Sequence, residues 1–356
     1  MQGFGSALIA PASMTLLMIT FTDPRELNKA FGFWDASAAA GGSAGVFLGG
    51  VITEWLSWRW AFFINIPIAL MVLSFGKNYL VPGLKSKIKL DYLGAVLATA
   101  SLILIVYAIV SFDSADITRS LSWGVVAIGL FIAFIVLQAK KVHPLLPLSI
   151  FKTPNLSVGN LVIGLLAAAW IPLWFFLNLY LQQTLQYSAF NSGLALLPMT
   201  ITIMVLMVGF TGKFVQKFGY KANLVAGLIF LTVSLIVFSF VPVNGSFLAN
   251  VLPASLLGAI GMSLAYIPGT IAAMSGAKPQ ETGLASGIVN TSYQIGSAVG
   301  LAVVVVIAGI VTQSSIVDGV QQPIALNVGF KAAFAAAATI SGIGALIAII
   351  QIKQFK

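Results

Sequence analysis

Along most of the chain, hydrophobic residues come in runs of roughly twenty, parted by short polar stretches. The runs lack the every-second alternation of barrel strands, and their length suits an α-helix crossing a hydrocarbon core. In lipid no water satisfies the backbone, so each run must satisfy its own polar groups as a helix. The pattern predicts eleven spans, at about 1–21, 31–52, 61–81, 92–111, 122–139, 156–182, 191–211, 222–242, 247–275, 284–312 and 329–352. The fold class is therefore all-α integral membrane.

The polar connections alternate in character. One set holds Arg25, Lys29, Lys77, Lys85, Lys87, Lys89, Lys140, Lys141, Lys152, Lys213, Lys217, Lys221, Lys278, Lys353 and Lys356; the other holds only Arg59, Arg119 and Lys331. Short Lys- and Arg-rich loops stay in the cytoplasm. This places the C-terminus in the cytoplasm and, with eleven spans, the N-terminus outside. A start outside, directly on a span, leads us to expect further spans upstream.

Three blocks follow from the spacing. Residues 1–81 hold three spans, 82–155 hold two spans with their polar loops, and 156–356 hold six. Six spans is the size of one transporter lobe built from two three-helix repeats.

Composition agrees. Hydrophobic residues make up 59% of the chain and charged residues 8%, against about 25% charged in soluble domains. The net charge of +9 follows the predicted topology and suits anionic lipid rather than nucleic acid. Cysteine is absent, which excludes disulfides, thiolate catalysis and zinc–thiolate sites. No Gly-rich loop ending in Lys-Ser/Thr is present, against a self-contained ATP-driven pump. The spans contain no acid–base pair or metal-ligand cluster, against an enzyme. His143, followed by Pro144, reads as solvated loop, and no cofactor is expected.

Several motifs resemble the major facilitator superfamily, in particular its fourteen-span drug:proton antiporters. Gln2, Gly3, Gly5 and Ala7 match the end of that branch's fourth-span signature, whose Arg would precede residue 1. Gly41, Gly45, Gly49 and Gly50 match its fifth-span antiporter signature, with Val46 in place of the proline. Trp58, Arg59, Trp60, Asn65 and Pro67 are similar to the approach to its sixth span, and Asp91 to Gly94 to the start of its seventh. Gly212, Gln216, Gly219 and Lys221 resemble the superfamily's cytoplasmic loop signature, with Gln216 in place of the acidic residue. Gly283 to Gly300, with Asn290 and Gln294, resembles the thirteenth span. The resemblance covers nearly the whole chain in order. It implies a major facilitator fold holding spans four to fourteen, with the first three absent.

The resemblance implies secondary active efflux of lipophilic drugs or toxic compounds, coupled to protons by alternating access in a bacterial-type cell membrane. The expected partners are the lipid bilayer, a small lipophilic or cationic substrate and protons, with the chain a monomer. Two other readings stand beside it: a non-transporting fragment that needs the missing spans, and an exporter of a metabolite or siderophore.

Particular residues carry these readings. Asp35 is the acidic residue inside a predicted span. Buried, it would have a raised pKa and exchange a proton; about one turn from the cytoplasmic end, it reads equally as reaching interfacial water or Lys29. Gly41, Gly45 and Gly49 share one helix face, as a seal against proton leak or as plain close packing. Arg59 between Trp58 and Trp60 reads as an interfacial anchor with a snorkelling cation. Trp170, Trp174, Asn178, Asn290 and Gln294 are cavity candidates for a flat cation, by stacking and hydrogen bonds, or else serve interhelical bonding. Pro172, Pro198, Pro253 and Pro268 break helices near a cavity or simply bend them.

Overall fold

The computed structural model describes residues 23–79, 91–112, 117–142, 144–278 and 281–354, with scattered positions between 5 and 21. Part of the side chains in 24–46 and at 77–79 lie outside this description. The first expected span and His143 therefore fall outside it.

The described residues form helices without strands. In chain order they are α1 (Pro24–Trp55), the one-turn α2 (Trp60–Phe63), α3 (Asn65–Tyr79), α4 (Tyr92–Val110), α5 (Ile117–Lys140), α6 (Leu156–Leu179), α7 (Ala189–Leu206), α8 (Gly212–Phe238), α9 (Leu252–Met274), α10 (Thr282–Val317) and α11 (Gln322–Gln351). Single π-helical turns extend α6 (Tyr180–Thr184), join α7 to α8 (Met207–Thr211) and lead into α9 (Phe247–Val251). By length and apolar composition, seven of the described helical stretches suffice to cross a membrane.

Local chemistry sets the helix starts. Asp91 accepts the Gly94 N–H at 2.8 Å and begins α4. Ser188 accepts the Asn191 N–H at 3.2 Å and begins α7. Such caps satisfy donors that the first turn leaves unpaired. Prolines stand in the first turn of α9 and of α11, where the missing N–H costs nothing. Pro172, Pro198 and Pro268 lie inside helices.

The core lies among α6, α8, α9 and α11. Leu166, Leu173, Leu177, Leu224, Leu228, Leu231 and Leu235 are buried there, with Phe238 stacked on Phe334 at 5.1 Å. Lipid gives helices no hydrophobic reason to associate, so close approach through small residues matters more. Gly227 of α8 and Gly261 of α9 face one another: a methyl on Gly227 would lie 2.6 Å from the Gly261 carbonyl oxygen, and one on Gly261 2.6 Å from the Leu231 nitrogen. Gly296 and Gly300 of α10 lie in the same way against Gly164 and Ala168 of α6. Buried hydroxyls bond to carbonyls of neighbouring helices, as Ser234 does to Ala254 at 2.6 Å and Thr211 to Ser263 at 3.1 Å.

The bundle formed by α6–α11 has two ends. At one, Asn155 stands in the left-handed region (φ 61°). Its amide donates to the Lys353 carbonyl (2.6 Å) and Ser275 Oγ (3.0 Å), and its oxygen accepts the Lys353 N–H (2.9 Å). The Tyr220 hydroxyl donates to the same Lys353 carbonyl at 2.7 Å. At the other end the Tyr180 hydroxyl donates to Pro242 at 2.7 Å and Asn327 to Val241 at 3.1 Å. The stretch Ala189–Phe238 therefore leaves the Tyr180 end, turns near Gly219 beside Lys353, and returns.

Outside this bundle, α4 and α5 pair as a hairpin whose α4 rests on α10, and α1 packs along α7. The α4–α5 pair is fixed at its Asp91 end. Besides Gly94, Asp91 accepts from Gln138 Nε2 (2.8 Å) and from Lys141 Nζ, the ion pair among the described residues. Gln138 in turn accepts the Leu146 N–H at 3.0 Å.

Candidate functional site

Trp170 is buried on α6 and meets Trp174, one turn on, edge to face at 6.0 Å. One further turn on, the Asn178 oxygen accepts from Ser192 Oγ of α7 (2.6 Å) and from Gln182 (2.9 Å). Tyr266 of α9 and Tyr293 of α10 pair edge to face at 5.3 Å. Asn290 and Gln294 sit one turn apart on an exposed strip of α10 with Gly283, Gly287 and Thr291. The candidate cavity residues thus fall into two groups. Trp170, Trp174 and Asn178 run along α6, with Asn178 tied to α7; Asn290 and Gln294 present amides on α10. Polar amides open on a membrane helix suit a water-filled cavity or a neighbouring helix better than lipid.

Asp35 lies within α1, but its side chain is outside the described residues, as are those of Lys29 and Val46. A methyl added at Gly41, Gly45 or Gly49 would meet nothing described within 4 Å. Gly50 differs: a methyl there would lie 2.8 Å from the Ala189 carbonyl oxygen and 3.2 Å from Phe190 Cα. The close approach of α1 to another helix is therefore at Gly50, against the first turn of α7.

Around that contact lies a group of residues that the sequence pattern did not single out. Glu54 Oε2 accepts the Phe190 N–H at 2.7 Å, across 136 residues of chain, and Glu54 also bonds the Ser188 hydroxyl. These two bonds hold its carboxyl below the usual range, the Ser188 bond foremost. The Phe190 ring meets Trp55 at 5.1 Å and Phe47 at 6.0 Å. Beside the seam is a cleft of about 400 Å³ lined by Tyr187, Asn191, Leu194, Ala195 and Phe247. The available sequence signal was an acidic residue at the end of a span, directly before Trp55 and the Ser57-Trp58-Arg59-Trp60 stretch. Its partner lies too far along the chain for spacing to reveal it.

Past the seam, Trp58, Arg59 and Trp60 are exposed. The Arg59 guanidinium carbon lies 4.9 Å from the centre of the Trp58 ring. Trp58 meets Phe62, and Trp60 meets Phe63, edge to face.

At the opposite end, the loop-signature residues lie in the first turns of α8 and at its kink. Gly212 and Gln216 are exposed. Gly219 has φ 79° and ψ 165°, a conformation essentially restricted to glycine. Its carbonyl accepts from Asn223 at 2.6 Å. The Lys221 N–H donates to Gln354 Oε1 at 2.9 Å. The signature thus works as a hinge-shaped turn docked on the C-terminal tail. Among the described residues no His/Cys/Asp/Glu group has metal-site spacing.

The sequence profile of the Major Facilitator Superfamily matches residues 1–301. The chain belongs to that superfamily. Similar characterised proteins include the cephamycin export protein of Amycolatopsis lactamdurans, 32% identical over 88% of this chain and 66% of its own length. The puromycin resistance protein of Streptomyces alboniger is 28% identical over 91% and 65%. A lincomycin resistance protein of Listeria monocytogenes is 28% identical over 98% and 75%. The chain spans about two thirds of the length of the first two relatives. Superfamily membership agrees with the helical fold and its apolar stretches of spanning length, and makes this an integral membrane protein.

Proposed function

We propose that this chain forms the larger part of an exporter of small lipophilic or cationic compounds, driven by protons and working by alternating access. The observation that carries the reading is the superfamily match together with relatives named for antibiotic export and resistance. Within it, the chain supplies eleven spans that correspond to spans four to fourteen, with the lysine-rich Asn155 end and the C-terminus facing the cytoplasm. The bundle α6–α11 is one lobe. Helices α1 and α3 belong to the other, and α4–α5 are the inserted pair. The Trp170–Trp174 pair, Asn178, Asn290 and Gln294 offer ring faces and amides to a flat cation between the lobes. Asp35 is the coupling carboxylate, because an acid inside a span carries a proton at the lowest cost in charge.

The test is accumulation of a fluorescent lipophilic cation in inverted membrane vesicles. The chain is expressed alone and with any coding sequence upstream of it, each with and without Asp35→Asn. The expected result is uptake that needs an imposed pH gradient and falls at least tenfold in Asp35→Asn. Absence of gradient-dependent uptake in both forms overturns the reading. Uptake that survives Asp35→Asn moves the coupling role elsewhere.

A further inference from the structure

One turn of α1 makes a socket for one turn of α7. Phe47, Gly50 and Glu54 stand at i, i+3 and i+7, on one face of the helix. Gly50 admits the Ala189 carbonyl and the Phe190 backbone. Phe47 and Trp55 flank the Phe190 ring. Glu54 then closes over the top of α7, taking the Phe190 N–H at 2.7 Å.

The first turn of an α-helix carries unpaired N–H donors and a partial positive charge. On α7 these donors are divided between two sources. Ser188 Oγ, from the same chain segment, takes the Asn191 N–H. Glu54, from the other half of the molecule, takes the Phe190 N–H and the Ser188 hydroxyl proton. No ion pair to Glu54 occurs among the described residues. Residues 189–206 of α7 contain no charged side chain, and on the α1 side the next charge is Arg59. What holds the carboxylate is the helix end itself.

We propose that Glu54 is the latch of the seam between the two halves of the molecule: seated on the first turn of α7, it holds α1 and α7 together at the Tyr180 end, and its release lets the halves part there. The proposal rests on reading the chain as part of a two-lobe transporter. Three features of the seam suit a latch. Among the described residues, the hydrogen bond that joins α1 to α7 is made by the Glu54 side chain. The contact is exposed at its edge, so the freed carboxylate and the freed N–H both find water. A methyl added at Gly41 or Gly45 below it would meet nothing described within 4 Å, so the tightest backbone approach of α1 to α7 is beside Glu54, at Gly50.

The test uses spin-label distances, which the absence of cysteine makes simple. Ser57→Cys and Gln183→Cys place labels on either side of the seam in the full chain, reconstituted in lipid nanodiscs. Lys221→Cys with Lys278→Cys is a control pair inside the α6–α11 bundle, and it stays unchanged in any folded variant. The expected parent result is a short-distance population. Glu54→Ala raises the ratio of long to short distances about tenfold, as loss of a charged hydrogen bond implies. Glu54→Gln keeps an acceptor without the charge and falls between the two. Ser188→Ala shifts the ratio in the same direction as Glu54→Ala. Should Glu54→Ala fail the control, Glu54→Gln decides. A seam distribution identical to the parent in every folded Glu54 variant overturns the latch. Gradient-driven dye transport without any seam shift removes the latch and leaves the exporter reading. A seam shift without transport does the reverse.

Discussion

The Asp91 carboxylate sits where three donors converge: the Lys141 ammonium, the Gln138 amide and the Gly94 N–H. All three favour the charged form, Lys141 most strongly, and hold the pKa well below its ordinary 3.8. A depressed folded pKa means stability that is present above 3.8 and lost only as pH falls through the lower value. The parent's thermal midpoint should therefore differ little between pH 6 and pH 4 on account of this group. In Lys141→Met the folded pKa moves back toward 3.8, so the midpoint should already be lower than the parent's at pH 6 and should fall less than the parent's as the pH is taken below 3.8. Gly219 gives a second residue-level expectation. Its φ and ψ lie in a region that costs a non-glycine residue about 1–3 kcal/mol, and the Gln354 side chain occupies the space a methyl would need. Gly219→Ala should lower the unfolding midpoint in detergent, while Gln216→Ala, at an exposed position, should not.

Among the elements, the crossing of α8 over α9 depends on Gly227 and Gly261 having no side chains. Gly261→Val forces the helices apart and should destabilise by about 1–3 kcal/mol or more, read as a fall in monodisperse protein on size-exclusion after heating. A valine at Gly283, where a side chain meets nothing described within 4 Å, should leave that readout unchanged. The elements themselves were largely legible in the sequence. The runs expected at 92–111, 156–182 and 247–275 correspond to Tyr92–Val110, Leu156–Thr184 and Phe247–Met274, because apolar length alone fixes a spanning helix. The expected span at 61–81 falls on the apolar helical stretch Trp60–Gly76, with Ile64 helical between α2 and α3. The spans expected at 191–211 and 222–242 fall on Ala189–Leu206 with its π turn and on the part of α8 beyond the Gly219 kink, parted by the lysine-bearing residues 212–221. Hydropathy sees that break through Lys213, Gln216, Lys217 and Lys221, but not that the turn itself is made by the one residue Gly219. The site was less legible. Trp170, Trp174 and Asn178 were accessible from helical spacing, whereas the Glu54 contact joins residues 136 apart, and no local pattern encodes its partner.

For the molecule as a whole, Asn155 is the residue on which the α6–α11 bundle closes. Its side chain reproduces a backbone pair with Lys353 and reaches Ser275. Replacement by glycine keeps the left-handed backbone without strain and removes these bonds; replacement by alanine removes both. We expect Asn155→Ala to lower thermal stability more than Asn155→Gly, with the difference measuring the backbone strain and the Gly variant's own loss measuring the tie. Equal losses would mean that the left-handed conformation relaxes away once the tie is gone.

That tie also sets an order of events in synthesis. Asn155 and Lys353 are 198 residues apart, and bringing the ends of so long a loop together costs on the order of 5 kcal/mol in chain entropy unless the intervening helices are already placed. The ribosome delivers Asn155 long before its partner. Every helix of the bundle must be in the bilayer, and residue 353 must have left the exit tunnel, before the first turn of α6 acquires its acceptor. A ribosome that stalls or drops off in α11 therefore releases a chain whose bundle is unfastened at its beginning, with the Asn155 amide left without the Lys353 partner.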